Sequence, residues 1–201
     1  MTLVLATANK NKILEMTALF GGLGVDVKTQ AELGLKLDPE ETGLTFFDNA
    51  VIKARAICEA SGYPAVADDS GLVVDCLGGE PGVFSKRYGG GNLSDSELCR
   101  FLLKKMEASE HRAAKFVSCI ACAFPDGRIV SAEGECQGSI TRSAVGTNGF
   151  GYDPVFYVDS AGKTMAEMTQ DEKNLISHRG NATRLFRTKL EKFIKDIDIK
   201  E

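Results

Sequence analysis

AAKFVSCIACAFPDGRIVSAEGECQ, residues 113–137, is split by Pro125-Asp126-Gly127, with an apolar run before the break and an alternating run after it. Pro-Asp-Gly between two such runs is a turn signature, so the segment predicts an antiparallel hairpin of residues 113–124 and 128–137. A third antiparallel strand is expected over 138–145. Upstream the period is different. Residues 3–7 read as a buried strand, 10–20 as a helix with Ile13, Leu14, Leu19 and Phe20 inward, and 25–30 as a second strand. Thr45 and Asp48 open a helix over 45–61, which Gly62 stops. Residues 65–69 read as a short strand, and Ser94 with Glu97 opens another helix. Downstream come a loop at 148–154, a strand at 155–158, a short helix opened by Thr169 and Glu172, and a final helix over 177–195. Helix–strand alternation around a meander predicts an α/β fold with a mixed sheet. Residues 1–201 are expected to form a single domain with two lobes, the meander making one and the flanking helices the other, with a cleft between them.

Composition narrows the function. The chain carries 24 Lys and Arg against 28 Asp and Glu, a net charge of −4. Sequence-blind binding to nucleic acid or to an anionic membrane needs a basic surface, so neither partner is expected. No run approaches the ~18 apolar residues of a spanning helix. The six cysteines are too few for a disulfide scaffold. Cys119 and Cys122 form a C-x-x-C, but residues three apart on a strand face opposite ways and no second ligand pair completes a zinc shell. They are expected to be buried, reduced thiols in a cytoplasmic protein. A redox role for this pair is the other reading.

Four segments carry polar residues beyond what a core or a turn requires. Thr7-Ala8-Asn9-Lys10-Asn11-Lys12 lies where the first strand ends and the first helix begins. A helix N-terminus with a lysine suits phosphate, although no Walker A pattern is present, and by itself the segment reads first as a plain polar helix start. Asp68-Asp69-Ser70-Gly71 places two carboxylates side by side at an apparent strand end, which is costly without a cation. Glu40-Glu41 is a second acidic pair. Hard oxygens from two loops suit Mg²⁺ when phosphates and water complete its shell, and a solvated turn is the alternative for each pair. The fourth set is Phe150-Gly151-Tyr152-Asp153-Pro154, then Lys173, then Ser177-His178-Arg179. Its flat rings and cations could hold a nucleobase, or make a turn and a solvated helix start.

Taken together, Thr7-x-Asn9-x-x-Lys12, Glu41-Thr42-Gly43, Asn49-Ala50, Lys53-Ala54, Ala67-Asp68-Asp69-Ser70-Gly71, Gly78-Gly79-x-Pro81-Gly82, Phe150-Gly151-Tyr152-Asp153-Pro154 and Ser177-His178-Arg179 closely resemble the inosine triphosphate pyrophosphatase family, the dITP/XTP (non-canonical purine NTP) pyrophosphatases. The resemblance runs from residue 3 to about residue 190. Ala8 departs from the glycine found in many members, which matters only if the backbone there needs a positive φ. The resemblance implies an elongated mixed sheet flanked by helices, two lobes with a central substrate cleft, and a cytoplasmic homodimer. It implies Mg²⁺-dependent hydrolysis of ITP, dITP and XTP to monophosphate and pyrophosphate. Asp69 would be the general base and a metal contact, and Glu41 the second metal carboxylate, with Glu40 its competitor. Thr7, Ala8, Asn9, Lys10, Asn11, Lys12, Lys53 and Ser70 would hold the triphosphate. Phe150, Gly151, Tyr152, Asp153, Lys173, His178 and Arg179 would hold the base. Two alternatives are a Maf-type (septum-formation-inhibitor) pyrophosphatase acting on pyrimidine or modified nucleotides, and a catalytically silent nucleotide-binding protein.

Overall fold

The computed structural model describes residues 1–20, 24–91 and 93–198. Among them seven strands and five α-helices follow in the order β1 (Thr2–Leu5), α1 (Lys10–Phe20), β2 (Asp26–Thr29), α2 (Phe46–Ser61), β3 (Ala65–Val74), α3 (Asp95–Lys105), β4 (Ala113–Ala123), β5 (Ile129–Ile140), β6 (Phe156–Val158), β7 (Lys163–Thr164), α4 (Gln170–Ile176) and α5 (His178–Asp198). The strands form one sheet in the order β2-β1-β3-β4-β5-β6-β7. β1 is parallel to β2 and β3, whereas β6 is antiparallel to β5 and β7, so the sheet is mixed as expected.

Local chemistry explains the element ends. The Thr45 hydroxyl accepts the Asp48 N–H at 3.1 Å, and Gly62, with φ 72°, donates back to the Cys58 carbonyl at 2.9 Å. α2 therefore starts and stops where its sequence directs. The Pro-Asp-Gly turn closes between β4 and β5 with the Phe124 N–H on the Arg128 carbonyl at 3.0 Å. Several expectations are corrected. β5 simply continues to Ile140, so 138–145 adds no third strand, and the two-residue β7 is too short to leave a periodic signal. β3 runs on through the acidic pair to Val74, because Leu72 and Val74 continue the buried alternation that Ser70-Gly71 seemed to break. In α1 Phe20 is buried and Ile13 packs against the core as expected, Glu15 and Met16 turn inward as well, and Leu14 is 71% exposed. The Leu19 side chain lies outside the described residues.

The chain gathers into two compact units, one of Met1–Asp69, Ser118–Gly134 and Arg179–Glu201, the other of Ser70–Val117 and Glu135–His178. The hairpin does not make a lobe of its own, since β4 and β5 each contribute residues to both units. In the first unit the strands bury both faces. Leu3, Leu5 and Val66 pack with Met16 of α1 and Ala182 and Phe186 of α5. Val4, Ala65 and Ala67 pack with Ala54, Ile57 and Cys58 of α2. Side chains alternate across a strand, so each strand feeds both layers in turn, and a strand covered on both sides reads as a continuous apolar run. The second unit has one core, in which Leu72, Val74 and Phe116 meet Leu98, Leu102 and Met106. Among the described residues, no helix is long and apolar enough to cross a membrane.

Candidate active site

The same alternation separates the two adjacent aspartates. Val66 faces the layer of α1 and α5, and Asp68, two residues on, faces it too. Ala67 faces α2, and so does Asp69. The Asp68 carboxylate, fully buried, receives Arg179 of α5 at 3.1 Å and Lys12 of α1 at 2.9 Å, with the Ser118 hydroxyl of β4 on its other oxygen. Arg179 also holds Glu15 of α1. Burial works to raise the Asp68 pKa, but the Arg179 guanidinium and the Lys12 ammonium overcome it and hold the carboxyl well below its ordinary range. Asp68 is thus a fixed structural anion. The resemblance implies a base-binding role for Arg179; its guanidinium is committed here to two carboxylates.

Asp69 meets a different set. Lys53 of α2 donates to its Oδ1 at 2.7 Å, and the Asn49 amide reaches its Oδ2 at 3.4 Å. Lys53 donates equally to Glu41 Oε1, at 2.7 Å, and to the Asp68 backbone carbonyl at 3.1 Å. Burial pushes the Asp69 carboxyl up against the pull of Lys53, which makes it the better proton acceptor. Burial works against the charge on Lys53, but Asp69 and Glu41 outweigh it and raise the ammonium. Of the acidic pair in the loop, Glu41 joins this cluster, whereas Glu40 is exposed. The loop is seated by Gly43, whose N–H donates to Asn49 Oδ1 at 2.8 Å. A Cβ at Gly43 would lie 2.6 Å from Asp48 Cβ, so only glycine allows that approach.

At the start of α1, Asn9 Oδ1 accepts the N–H groups of Asn11 (3.0 Å) and Lys12 (3.2 Å), and Thr7 Oγ1 accepts that of Asn9 (3.2 Å). Two of the amides expected to be open to phosphate are therefore engaged by the cap itself. Ala8, Asn9, Lys10 and Asn11 are exposed, and no non-glycine residue among those described has a positive φ, so Ala8 carries no backbone strain. Lys12 and Lys53 come from different helices, yet both donate to the Asp68 carbonyl at 3.1 Å. Two ammonium groups on one acceptor make a cationic corner beside Asp69.

In the second unit the buried Lys173 ammonium lies 2.7 Å from Asp153 Oδ2, which also accepts the Phe150 N–H at 2.9 Å. Lys173 sits 4.7 Å from the centre of the Phe150 ring. Asp153 thus fixes a cation and an aromatic face together. Gly149, with φ 76°, is obligatory, since a Cβ there would fall 2.0 Å from the same carboxylate oxygen. The Gly151 N–H donates to Asp95 Oδ2 at 2.7 Å, and the Tyr152 hydroxyl donates to the Ser85 carbonyl at 2.9 Å. His178 stacks on Phe116 with ring centres 4.7 Å apart. Ser70 is half-buried next to Asp69 in the chain.

The model of the Ham1 family matches residues 3–189. The chain belongs to the Ham1 family. The dITP/XTP pyrophosphatase of Synechococcus sp. (strain CC9311) is 50% identical over 195 residues, covering 96% of this chain and 92% of that protein. The Ham1 protein of Staphylococcus aureus superposes with a TM-score of 0.87 at 41% identity, covering 95% of this chain and 98% of its own. A HAM1 protein from Coxiella burnetii gives 0.88 at 42% identity, over 96% and 99%.

Sequence reasoning gave no role to three residues of this Ham1-family site, and each had a weak signal. Glu15 is a charge on the inward face of α1, Ser118 a lone hydroxyl in the apolar β4 run, and Asn49 a polar residue among the buried alanines of α2. The donors around Lys53 also test the implied cation. Two carboxylate oxygens within 2.7 Å of one ammonium form a hard anionic seat that fits Mg²⁺. Among the described residues no group of three or more His, Cys, Asp or Glu is placed to hold a metal, so water and phosphate oxygens would complete the shell.

Proposed function

We propose that this protein is a nucleoside triphosphate pyrophosphatase that hydrolyses the non-canonical purine nucleotides ITP, dITP and XTP to monophosphate and pyrophosphate. The observation that carries the reading is the pairing of a buried, proton-seeking Asp69 with Glu41 and two lysines. The name of the Synechococcus relative supports the substrate class. On this reading Asp69 takes a proton from the attacking water. The water oxygen bonds to the α-phosphorus, the bond from that phosphorus to the bridging oxygen breaks, and pyrophosphate leaves with the electron pair. Lys12 and Lys53 face the charge that builds on the leaving group. Glu41 and Asp69 would hold Mg²⁺, which when bound supplies further neutralisation of phosphate charge. Thr7 to Asn11 and Ser70 bind the triphosphate, and Phe150 to Asp153, Lys173 and His178 bind the base. Arg179 serves by holding β3. The reading extends, on the family resemblance, to a cytoplasmic homodimer with no polymer or membrane partner.

A base site built to donate to a 6-oxo group leaves an adenine amino group unsatisfied, a difference worth ~10⁴-fold or more in such sites. A panel of ITP, dITP, XTP, ATP and UTP with pyrophosphate readout is expected to show turnover of the first three and little of the others. Equal kcat/KM for ITP and UTP would overturn the purine assignment. The cysteines take no part. Burial pushes the Cys119 thiol up to about 12, far from the reactive thiolate range. Replacing Cys119 and Cys122 with alanine should leave ITP turnover unchanged, and loss of activity in a folded double variant would restore the redox reading.

A further inference from the structure

We infer that Lys53 is a resident cation that competes with the divalent ion for the seat between Glu41 and Asp69, so that metal and nucleotide bind together far better than metal alone. The inference rests on the proposed function and assigns Lys53 a role beyond contact with phosphate. Its ammonium is 2.7 Å from Glu41 Oε1, 2.7 Å from Asp69 Oδ1 and 3.1 Å from the Asp68 carbonyl. The two carboxylate oxygens are therefore no further apart than twice the first distance. The side chain is only 13% exposed, so it sits in the seat rather than hovering over it.

An ammonium and a divalent ion cannot share such a place, since like charges a few ångströms apart in a poorly solvated site repel strongly. A metal ion arriving alone must push Lys53 out. Lys53 already shares the Asp68 carbonyl with Lys12, each at 3.1 Å, so that acceptor offers the displaced ammonium no new compensation. Without a new anion the displaced charge would be driven toward another lysine. A triphosphate changes this balance, since its oxygens accept both ammonium groups while the carboxylates turn to the metal. Lys53 thus moves from carboxylate to phosphate as the substrate complex enters. Metal and nucleotide are coupled through one side chain, and the coupling is reciprocal. In the empty enzyme the same lysine keeps two neighbouring carboxylates from repelling each other, so the seat is already shaped.

The test measures Mn²⁺ binding by electron paramagnetic resonance on the full chain, with no nucleotide and then with a non-hydrolysable α,β-methylene analogue of ITP. In the wild type the analogue is expected to tighten Mn²⁺ by at least about tenfold, within the usual range of such couplings. Lys53→Met keeps the aliphatic stem and removes the charge. It is expected to bind Mn²⁺ at least about tenfold tighter than wild type without nucleotide, and to show little further gain with the analogue. Lys53→Gln provides the same comparison should the methionine variant fold poorly. Nucleotide-free Mn²⁺ binding that is unchanged or weaker in the folded variants would overturn the inference. So would a wild type that binds Mn²⁺ equally well with and without the analogue. Glu41→Gln separates the two levels: if it leaves Mn²⁺ binding with the analogue untouched, the metal assignment itself fails. If it weakens that binding while the Lys53 variants do not differ from wild type, only the competition fails.

Discussion

Arg179→Met should destabilise the protein by about 3–5 kcal/mol, the usual cost of removing one partner from a buried charge network. The guanidinium is 2% exposed and spans two carboxylates, Asp68 and Glu15, both buried. Methionine fills much of the same volume, so the loss is electrostatic. Lys12 can still answer Asp68, but it does not replace the contact to Glu15. The pH dependence follows from the direction of the Asp68 shift. A carboxyl held below its ordinary pKa of 3.8 adds stability that is complete above that value and disappears as the pH falls toward its native pKa. The difference between wild type and variant in urea unfolding should therefore be constant from pH 7 to about pH 4 and shrink below. Combining Arg179→Met with Glu15→Gln should recover part of the loss, because Lys12 still answers Asp68 and the carboxylate charge that faced the guanidinium is removed. A single variant within about 0.5 kcal/mol of wild type would show that the network does not hold β3.

Asp69→Asn is the second large effect. Asparagine keeps the shape and can still accept from Lys53, so the fold and ITP affinity should change by no more than a few-fold. Turnover should fall at least ~10²-fold, the scale for losing a general base. Because burial raises the Asp69 carboxyl in the free protein, wild-type kcat/KM should decline on the acid side at a pH above that of an ordinary aspartate, as the base becomes protonated. The variant should lack that limb. Near-normal kcat in Asp69→Asn would remove this residue from the proton transfer, and an unchanged acid limb would place the limb elsewhere.

How much of this was readable beforehand depended on how local the cause was. α2 was bounded in advance because Thr45 and Gly62 act on amides and carbonyls within a turn of themselves. The hairpin was announced by three residues. The acidic pair was visible as chemistry but misplaced as structure: polar letters at 68–70 looked like the end of a strand, when β3 passes straight through them. What makes that possible is remote in the chain, since Arg179 reaches Asp68 from 111 positions away and Glu15 from 164. No window of sequence contains both ends of such a pair. The preference for Glu41 over Glu40 was equally out of reach, because it depends on where Lys53 and Gly43 bring the loop to rest. The two roles of the aspartates were hidden for the same reason. Identical side chains at adjacent positions differ only in which helix layer each one meets.

That last feature makes counting part of the chemistry. Adding or deleting a single residue between Val66 and Asp68 would shift the register by one and exchange the faces of the two aspartates. Asp69 would then face the layer of α1 and α5, and Asp68 would face α2. Both aspartates would still be present, with every letter of the motif intact, and on the proposed mechanism turnover should be lost. β3 should therefore tolerate substitution at its apolar positions better than any change in its length between the two units of this alternation.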